Sequence, residues 1–308
     1  MPIHRGIIPE LLEAEIDHIF FQTFMEQPQR YKQVYKVERT GKAYRDDIRI
    51  AGVGRFQIMP EGMPVAFTNI VQGTRRRETV FNFALALRIS RNAREDEQHG
   101  MIRKFVTDLA VSAADSQDRF AHGPINDGHA GSFYLGLFEG DGVRRPLWST
   151  GHVPLRNTAA TQSNKLQPVV AFIADGLKSA LNIFQTMQSE EERFISISPD
   201  KVLAHPDLRW DVETLLESQN VPGSADNDLN VVASNRIGVN PVFTEKMTDT
   251  DSWSLWKSGG DALVWLEREA LRTQDTMDDL TQDFIAMAFY RCNVLVGEWR
   301  YTVGSAPP

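Results

Sequence analysis

The chain has 308 residues, 33 basic and 41 acidic side chains, a formal net charge of −8, and 42% hydrophobic and 24% charged residues. Those proportions belong to a globular chain and exclude a disordered, collagenous or fibrous one, and at roughly 150 residues per domain the length allows about two domains. An acidic balance argues against a protein whose main work is wrapping nucleic acid, because phosphate binding is driven by Lys and Arg releasing counterions.

The start, Met1-Pro2-Ile3-His4-Arg5-Gly6, lacks the apolar core of a signal peptide, and no stretch approaches the ~18 apolar residues of a membrane span. Neither export by such a signal nor a membrane anchor is expected. Over residues 8–25, Leu12, Ile16, Ile19, Phe20 and Phe24 fall at three-to-four-residue spacing, which predicts a short amphipathic helix closed by Gln27-Pro28-Gln29. Residues 31–50 are polar with aromatic and β-branched side chains at intervals, an extended arm or strand without a core of its own. From 52 to 79, Gly52, Gly54, Gly62 and Gly73 with Pro60 and Pro64 prevent a helix. Apolar pieces at 56–59 and 65–71 flank Pro60-Glu61-Gly62 and predict a long two-stranded hairpin. Such a hairpin is marginal in water unless something packs on it, and the expected partner is another subunit.

Val80, Phe81, Phe83, Leu85, Leu87 and Ile89 then alternate as in a strand over 79–90. Met101, Ile102, Phe105, Val106, Leu109, Ala113 and Phe120 predict a helix over 92–122, about 40 Å long, with Gly123-Pro124 as its stop and Gly100 as an interior blemish. Residues 123–164 read as loops with short strands around 133–138. Further predicted elements are a helix over 165–188, a strand at 194–198, a helix over 207–218 and a polar loop at 221–228. Strands follow at Val231-Val232-Ala233, 253–256 and 263–266, then a closing pair of strands over 281–303. Long helices with scattered antiparallel strands indicate an α+β fold.

Few residues in this pattern carry chemistry. Cys292, the only cysteine, excludes an intrachain disulfide and a cysteine-based zinc site. The seven histidines form no HExxH or His-x-x-x-His pair, and His122, His129 and His152 read as solvated loop residues. Asp249-Thr250-Asp251 begins like a calcium loop but meets Trp253 at the next ligand position, so it reads as a turn. Gly52-Val53-Gly54 lacks the third glycine of a dinucleotide fingerprint, and no phosphate loop or GxSxG elbow occurs. Glu190-Glu191-Glu192, Asp46-Asp47 and Asp278-Asp279 read as solvated faces or caps. Arg75-Arg76-Arg77 admits three readings: a phosphate patch, a solvated loop tip, or a cluster paired with acids of a neighbouring chain. Ten Arg and no Lys lie between Lys42 and Lys104, which favours the interprotein reading, since Arg is enriched at interfaces and Lys depleted.

The order of these parts resembles the major capsid proteins of tailed phages, with their Hong Kong 97-type fold. An arm, a Gly/Pro-punctuated loop, a strand leading into a long spine helix, a helix-rich second domain and closing strands follow one another as in that family. The segment Pro199-Asp200-Lys201-Val202-Leu203-Ala204-His205-Pro206-Asp207-Leu208, followed by Val212 and Leu215-Leu216-Glu217-Ser218, is similar to its proline-rich entry into an apolar helix. Asn230 to Ala233, Asn240-Pro241 and Thr250-Asp251-Ser252-Trp253-Ser254-Leu255 are similar to the family's strand and its aspartate-x-tryptophan turn, and Phe289-Tyr290-Arg291-Cys292-Asn293-Val294 and Glu298-Trp299-Arg300 with Gly304-Ser305 resemble its closing strand and tryptophan-arginine hairpin.

The resemblance implies an N-terminal arm (1–41), an extended loop (42–78) lying across an adjacent subunit, a peripheral domain (79–164 with 284–308) and an axial domain (165–283). Phe56, Ile58, Phe67, Arg75, Arg76 and Arg77 are expected in the intersubunit interface. It further implies a non-enzymatic shell protein without cofactor, assembling as hexamers and pentamers into an icosahedral head that encloses double-stranded DNA without reading its sequence. Its implied partners are a separate scaffolding protein, a portal and decoration proteins, with no membrane; its place is the virion, and the host cytoplasm during assembly. The loop has no lysine after Lys42, so the lysine–asparagine cross-link of some members is not expected. The alternatives are an encapsulin-type nanocompartment shell and, in another class, a soluble oligomeric hydrolase with dispersed His and acidic residues.

Overall fold

The computed structural model describes residues 8–65, 67–92, 100–218, 230, 238–278 and 280–306. The predicted strand at 231–233, the loop at 221–228 and the start of the predicted helix at 93–99 lie outside these residues.

Two four-stranded sheets organise the chain. The first has the order β1 (Lys36–Arg39), β10 (Leu263–Met277), β11 (Phe284–Val296), β6 (Phe81–Ile89). The second has the order β12 (Thr302–Ser305), β9 (Trp253–Trp256), β7 (Lys201–Ala204), β8 (Asn240–Phe243). The closing strands predicted as a pair are therefore split between sheets: β11 lies between β10 and β6, whereas β12 pairs with β9. Likewise 263–277, placed by sequence in the axial segment, is built into the sheet of β6 and β11. The sheet crossings explain this. The connection from β9 to β10 runs beside the one from β11 to β12, with Gly297 and Glu298 N–H donating to the Ala262 and Asp261 carbonyls (2.9 and 2.8 Å) and Lys257 N–H to Tyr301 (2.9 Å). A side chain at Gly297 would stand 2.0 Å from the Asp261 carbonyl oxygen, so only glycine permits the approach.

β11 is buried at alternate positions as far as Cys292 and continuously from there to Val296, the pattern of a strand covered on one face and then on both. Two helices cover the first stretch. α1 (Ile8–Glu26) and α2 (Met101–Asn126) pack together, and Ile16, Phe20, Ile89, Ile102, Val106, Leu109, Ala110, Phe284, Ala286 and Ala288 form one buried cluster. Each such large side chain contributes about 1.5–3 kcal/mol by leaving water. The buried stripe of α2 runs through Ile102, Val106, Leu109 and Ala110: Val106 is fully buried while Phe105 remains 39% exposed. Consecutive positions point about 100° apart, and with apolar residues at both 105 and 106 the pattern alone did not select the face. Gly100 is not interior; it sits at φ +63° as the N-cap. Nor does Gly123-Pro124 stop the helix, because proline this near the end removes only one intrahelical bond.

The arm has a core after all. Tyr31, Val34 and Tyr35 are buried in the main cluster with Leu147, Trp148, Trp256, Trp265 and Val294, and the Tyr31 ring lies 4.6 Å from Trp265. Tyr31 N–H donates to the buried Asp118 carboxylate (3.1 Å). Residues 123–164 contain an isolated bridge between Phe138 and Arg144 in place of strands at 133–138. Asp127 folds this segment by accepting the N–H groups of Ser132, Phe133 and Tyr134 (2.8, 2.7 and 2.7 Å). Burial acts to raise its pKa, but these donors outweigh it and the carboxyl is held below its ordinary value.

On the second sheet, α3 (Ala174–Thr186) and α4 (Arg209–Glu217) enclose Leu177, Ala180, Phe184, Val212 and Leu215 against Val202, Trp253, Leu255 and Val303. α3 starts nine residues later than predicted because Pro168 disfavours helix at Gln167, and Leu166 N–H instead donates to Gly304 (3.1 Å). The 194–198 strand reduces to a single bridge between Gln188 and Phe194.

Candidate assembly loop

Between β1 and β6 the chain leaves the body and returns. β2 (Tyr44–Asp47) pairs with β5 (Arg76–Thr79), and β3 (Ile50–Ala51) with β4 (Val71–Gln72), both antiparallel. The hairpin is shorter than predicted: 52–70 holds no strand among its described residues, and Pro60 and Pro64, which lack N–H groups, break any ladder there. Its tip turns apolar side chains to solvent. Phe56, Ile58 and Phe67 are 104%, 98% and 96% exposed, and Met59, Met63, Val65 and Ile70 are exposed beside them. Contiguous apolar exposure of this kind marks an interaction surface.

The root is charged and firmly held. Arg77 donates through Nε and Nη2 to the two oxygens of Asp46 (2.7 and 2.8 Å), with its guanidinium 4.0 Å from the Tyr44 ring centroid. That bidentate bond, more than the neighbouring Arg75 at 3.7 Å, holds the Asp46 carboxyl below its ordinary pKa. The expectation of an intersubunit role does not hold for Arg76. It is buried in its own chain, donating to the carbonyls of Val296 (2.6 Å) and Leu135 (3.4 Å) and to Asp47 (3.1 Å). Burial pulls its pKa down against the pull of Asp47 and Glu78. Of the six residues singled out from sequence, five thus stay on the surface of the loop and one becomes its anchor.

A second anchor was not visible in the sequence. Arg49, buried, stands 3.9, 3.7 and 3.8 Å from carboxylate oxygens of Glu139, Glu190 and Glu298, and its Nε and Nη1 have no hydrogen-bond partner. Arg300 completes the group, donating to Glu190 (2.9 Å), Glu298 (2.8 Å) and the Gln188 carbonyl (2.6 Å). Burial acts to raise the Glu298 pKa, yet Arg300 and Arg49 outweigh it and leave the carboxyl lowered. Glu190 and Glu191 are therefore buried partners rather than solvated residues. Nor are the three histidines solvated: His152 and His122 are buried, with His152 Nδ1 meeting Glu139 and His122 Nδ1 2.7 Å from the Asp118 carbonyl, and the half-buried His129 lies against Trp148 at 4.5 Å, tilted by 31°. Asp249 and Asp251 form the expected turn, Asp251 N–H donating to Asp249 Oδ1 at 3.0 Å. Among the described residues no three His, Cys, Asp or Glu side chains are placed to hold a metal ion, and no helix is long and apolar enough to cross a membrane.

Comparison with solved structures finds this architecture in viral shells. The procapsid of bacteriophage JBD30 matches with a TM-score of 0.52 at 14% identity, over 99% of this chain and 77% of that one. The capsid of cyanophage P-SCSP1u matches with a TM-score of 0.58 at 10% identity, over 89% and 86%. A virus-like particle from Pyrococcus furiosus matches with 0.54 at 9% identity, over 95% and 98%. At such identities the likeness shows the fold, which is of the Hong Kong 97 type. No protein with a curated description matches the sequence. The model of one family, described as phage capsid protein, matches residues 78–304, and over this greater part of its length the chain belongs to that family.

Proposed function

We propose that the chain builds the icosahedral head of a tailed phage, as hexamers and pentamers around double-stranded DNA that it encloses without reading its sequence. As a phage capsid protein it is a structural component of the virion, not an enzyme, and assembly with its own copies is its activity. In this reading the first sheet with α2 serves as the peripheral domain, and the second sheet with α3 and α4 as the axial domain. The loop over 42–78 lies across the adjacent subunit. Assembly takes place in the host cytoplasm with a separate scaffolding protein, a portal and decoration proteins, and without lysine–asparagine cross-links from this loop. A weakly repelling acidic subunit suits a container through which DNA must move during filling. The second reading, a nanocompartment shell, draws on the fold shared with the Pyrococcus furiosus particle; the family match favours the first.

One observation carries the loop assignment: Phe56, Ile58 and Phe67 are wholly exposed on a tip whose root is buried and paired. The test is electron microscopy of the purified protein beside a Phe56→Asp/Phe67→Asp double variant. The parent should form closed shells, while the variant should unfold at the parent's temperature and form none. Closed shells from the variant would remove the loop from the interface.

A further inference from the structure

The turn 189–193 touches both limbs of the loop. Ser189 Oγ accepts the N–H groups of Glu191 and Arg193 (3.3 Å each), and Glu192 takes φ +57°, in the left-handed region, which tightens the turn. On the outgoing limb, Arg55 donates to the Glu192 carbonyl (2.9 Å), and a Cβ on Gly54 would stand 3.4 Å from Glu191 Oε2. On the returning limb, Arg156 bridges Glu191 (2.9 Å) to the Asn69 carbonyl (2.6 Å). Asn157 fixes the Glu192 side chain from the body. The third acid, Glu190, faces inward to Arg49 and Arg300 and accepts Leu155 N–H (2.6 Å).

We propose that the turn 189–193 is a strap that sets the angle at which the loop tip leaves the body, with Arg49 as its buried pivot. The two parts differ in what opening them costs. Arg49 is buried beside three carboxylates, and drawing its charge out through the core would part it from all of them at once, so the pivot stays shut while the subunit is folded. Arg55 is exposed and holds only a carbonyl, so its bond opens at little cost, while the Arg156 bond to the buried Glu191 carboxylate is the firmer half of the strap. With the strap open, the tip swings about Arg49; with it closed, one direction is fixed. This rests on the reading that the loop covers a neighbour, for which the strap decides where the tip lands.

The test is a spin-label distance measurement on unassembled subunits of the full chain, with Ile58→Cys and Val143→Cys labelled. Both sites are exposed, and the native Cys292 is buried with its thiol pKa pushed up, so it stays unlabelled. The parent should give one narrow distance distribution, and Glu191→Gln and Arg55→Ala should each broaden it and shift its mean. Arg55→Ala alters an exposed side chain and keeps the test open should Glu191→Gln fail to fold. A broad distribution in the parent, or an unchanged narrow one in Arg55→Ala, overturns the strap. The distances are read before any shell exists, so they fail or succeed independently of the tip variants that test the interface.

Discussion

His152 lies flat against Trp299, the ring centroids 4.0 Å apart and the planes 4° from parallel. The stack is held at its far edge, where His152 Nε2 lies 3.1 Å from Asn164 Oδ1. The Asn164 amide donates to the carbonyls of Leu147, Trp299 and Thr302 (2.8, 3.1 and 3.2 Å), and Oδ1 also accepts Ser149 N–H (2.9 Å). One fully buried side chain thus sews the 123–164 segment to the crossing that leads into β12.

Asn164→Ala strips the side-chain donor from the buried Leu147 and Thr302 carbonyls and the acceptor from Ser149 N–H, each group worth about 1–3 kcal/mol if left unpaired. Urea unfolding should show a loss of several kcal/mol, and Asn164→Asp, which turns a carboxylate on the same carbonyls, should be worse. A midpoint within experimental error of the parent would contradict this network.

Leu109 and Phe105 should separate cleanly on α2. Leu109 is buried and its truncation to Ala should cost about 2–5 kcal/mol, whereas Phe105→Ala removes a side chain that stands partly in solvent and should cost less than about 1 kcal/mol. Thermal unfolding in the reverse order would mean that the helix presents its other face.

Neighbouring arginines should differ in the same way. Arg76→Glu leaves Asp47 facing a second acid in the interior and should cost about 3–5 kcal/mol, yielding insoluble protein. Arg75→Glu, on an exposed side chain 3.7 Å from Asp46, should leave a soluble, folded subunit by circular dichroism. If both variants stay soluble, the anchor role of Arg76 is wrong.

His129 should make the subunit acid-sensitive. Both its ring nitrogens lack a hydrogen-bond partner, and burial lowers its pKa from 6.5 to about 4. As pH falls below 6.5 the unfolded chain takes up a proton that the folded one refuses, so this contribution to stability declines down to about pH 4 and is level below it. His122, lowered chiefly by its own burial, acts in the same direction. Unfolding free energies measured across this range should fall less steeply in His129→Phe than in the parent; parallel slopes would count against it.

The sequence carried the elements whose periodicity is strong. Ile16 and Phe20 on α1, the alternation of β6, and the apolar runs of β9 and β10 stand where the spacing put them. Phe56, Ile58 and Phe67 were legible for another reason: Gly and Pro denied them any local partner, and they remain exposed. What escaped were partnerships across long stretches of chain. Nothing near Arg49 announces Glu139, Glu190 and Glu298, and a run of three glutamates has the same composition whether solvated or buried. Arg76 could be told from Arg75 and Arg77 only by the pleat, since successive residues of a strand point to opposite faces and β5 turns position 76 inward. The split of β11 from β12 depended on two crossings meeting, which no single segment records.

Those paired crossings determine how the subunit bears tension. A pull that parts the two sheets meets two backbones clasped by three hydrogen bonds and flush at Gly297, so neither strand can yield alone. The sheets should tilt together under strain up to a threshold and then give way in one step, a behaviour suited to a wall that is pushed outward from within.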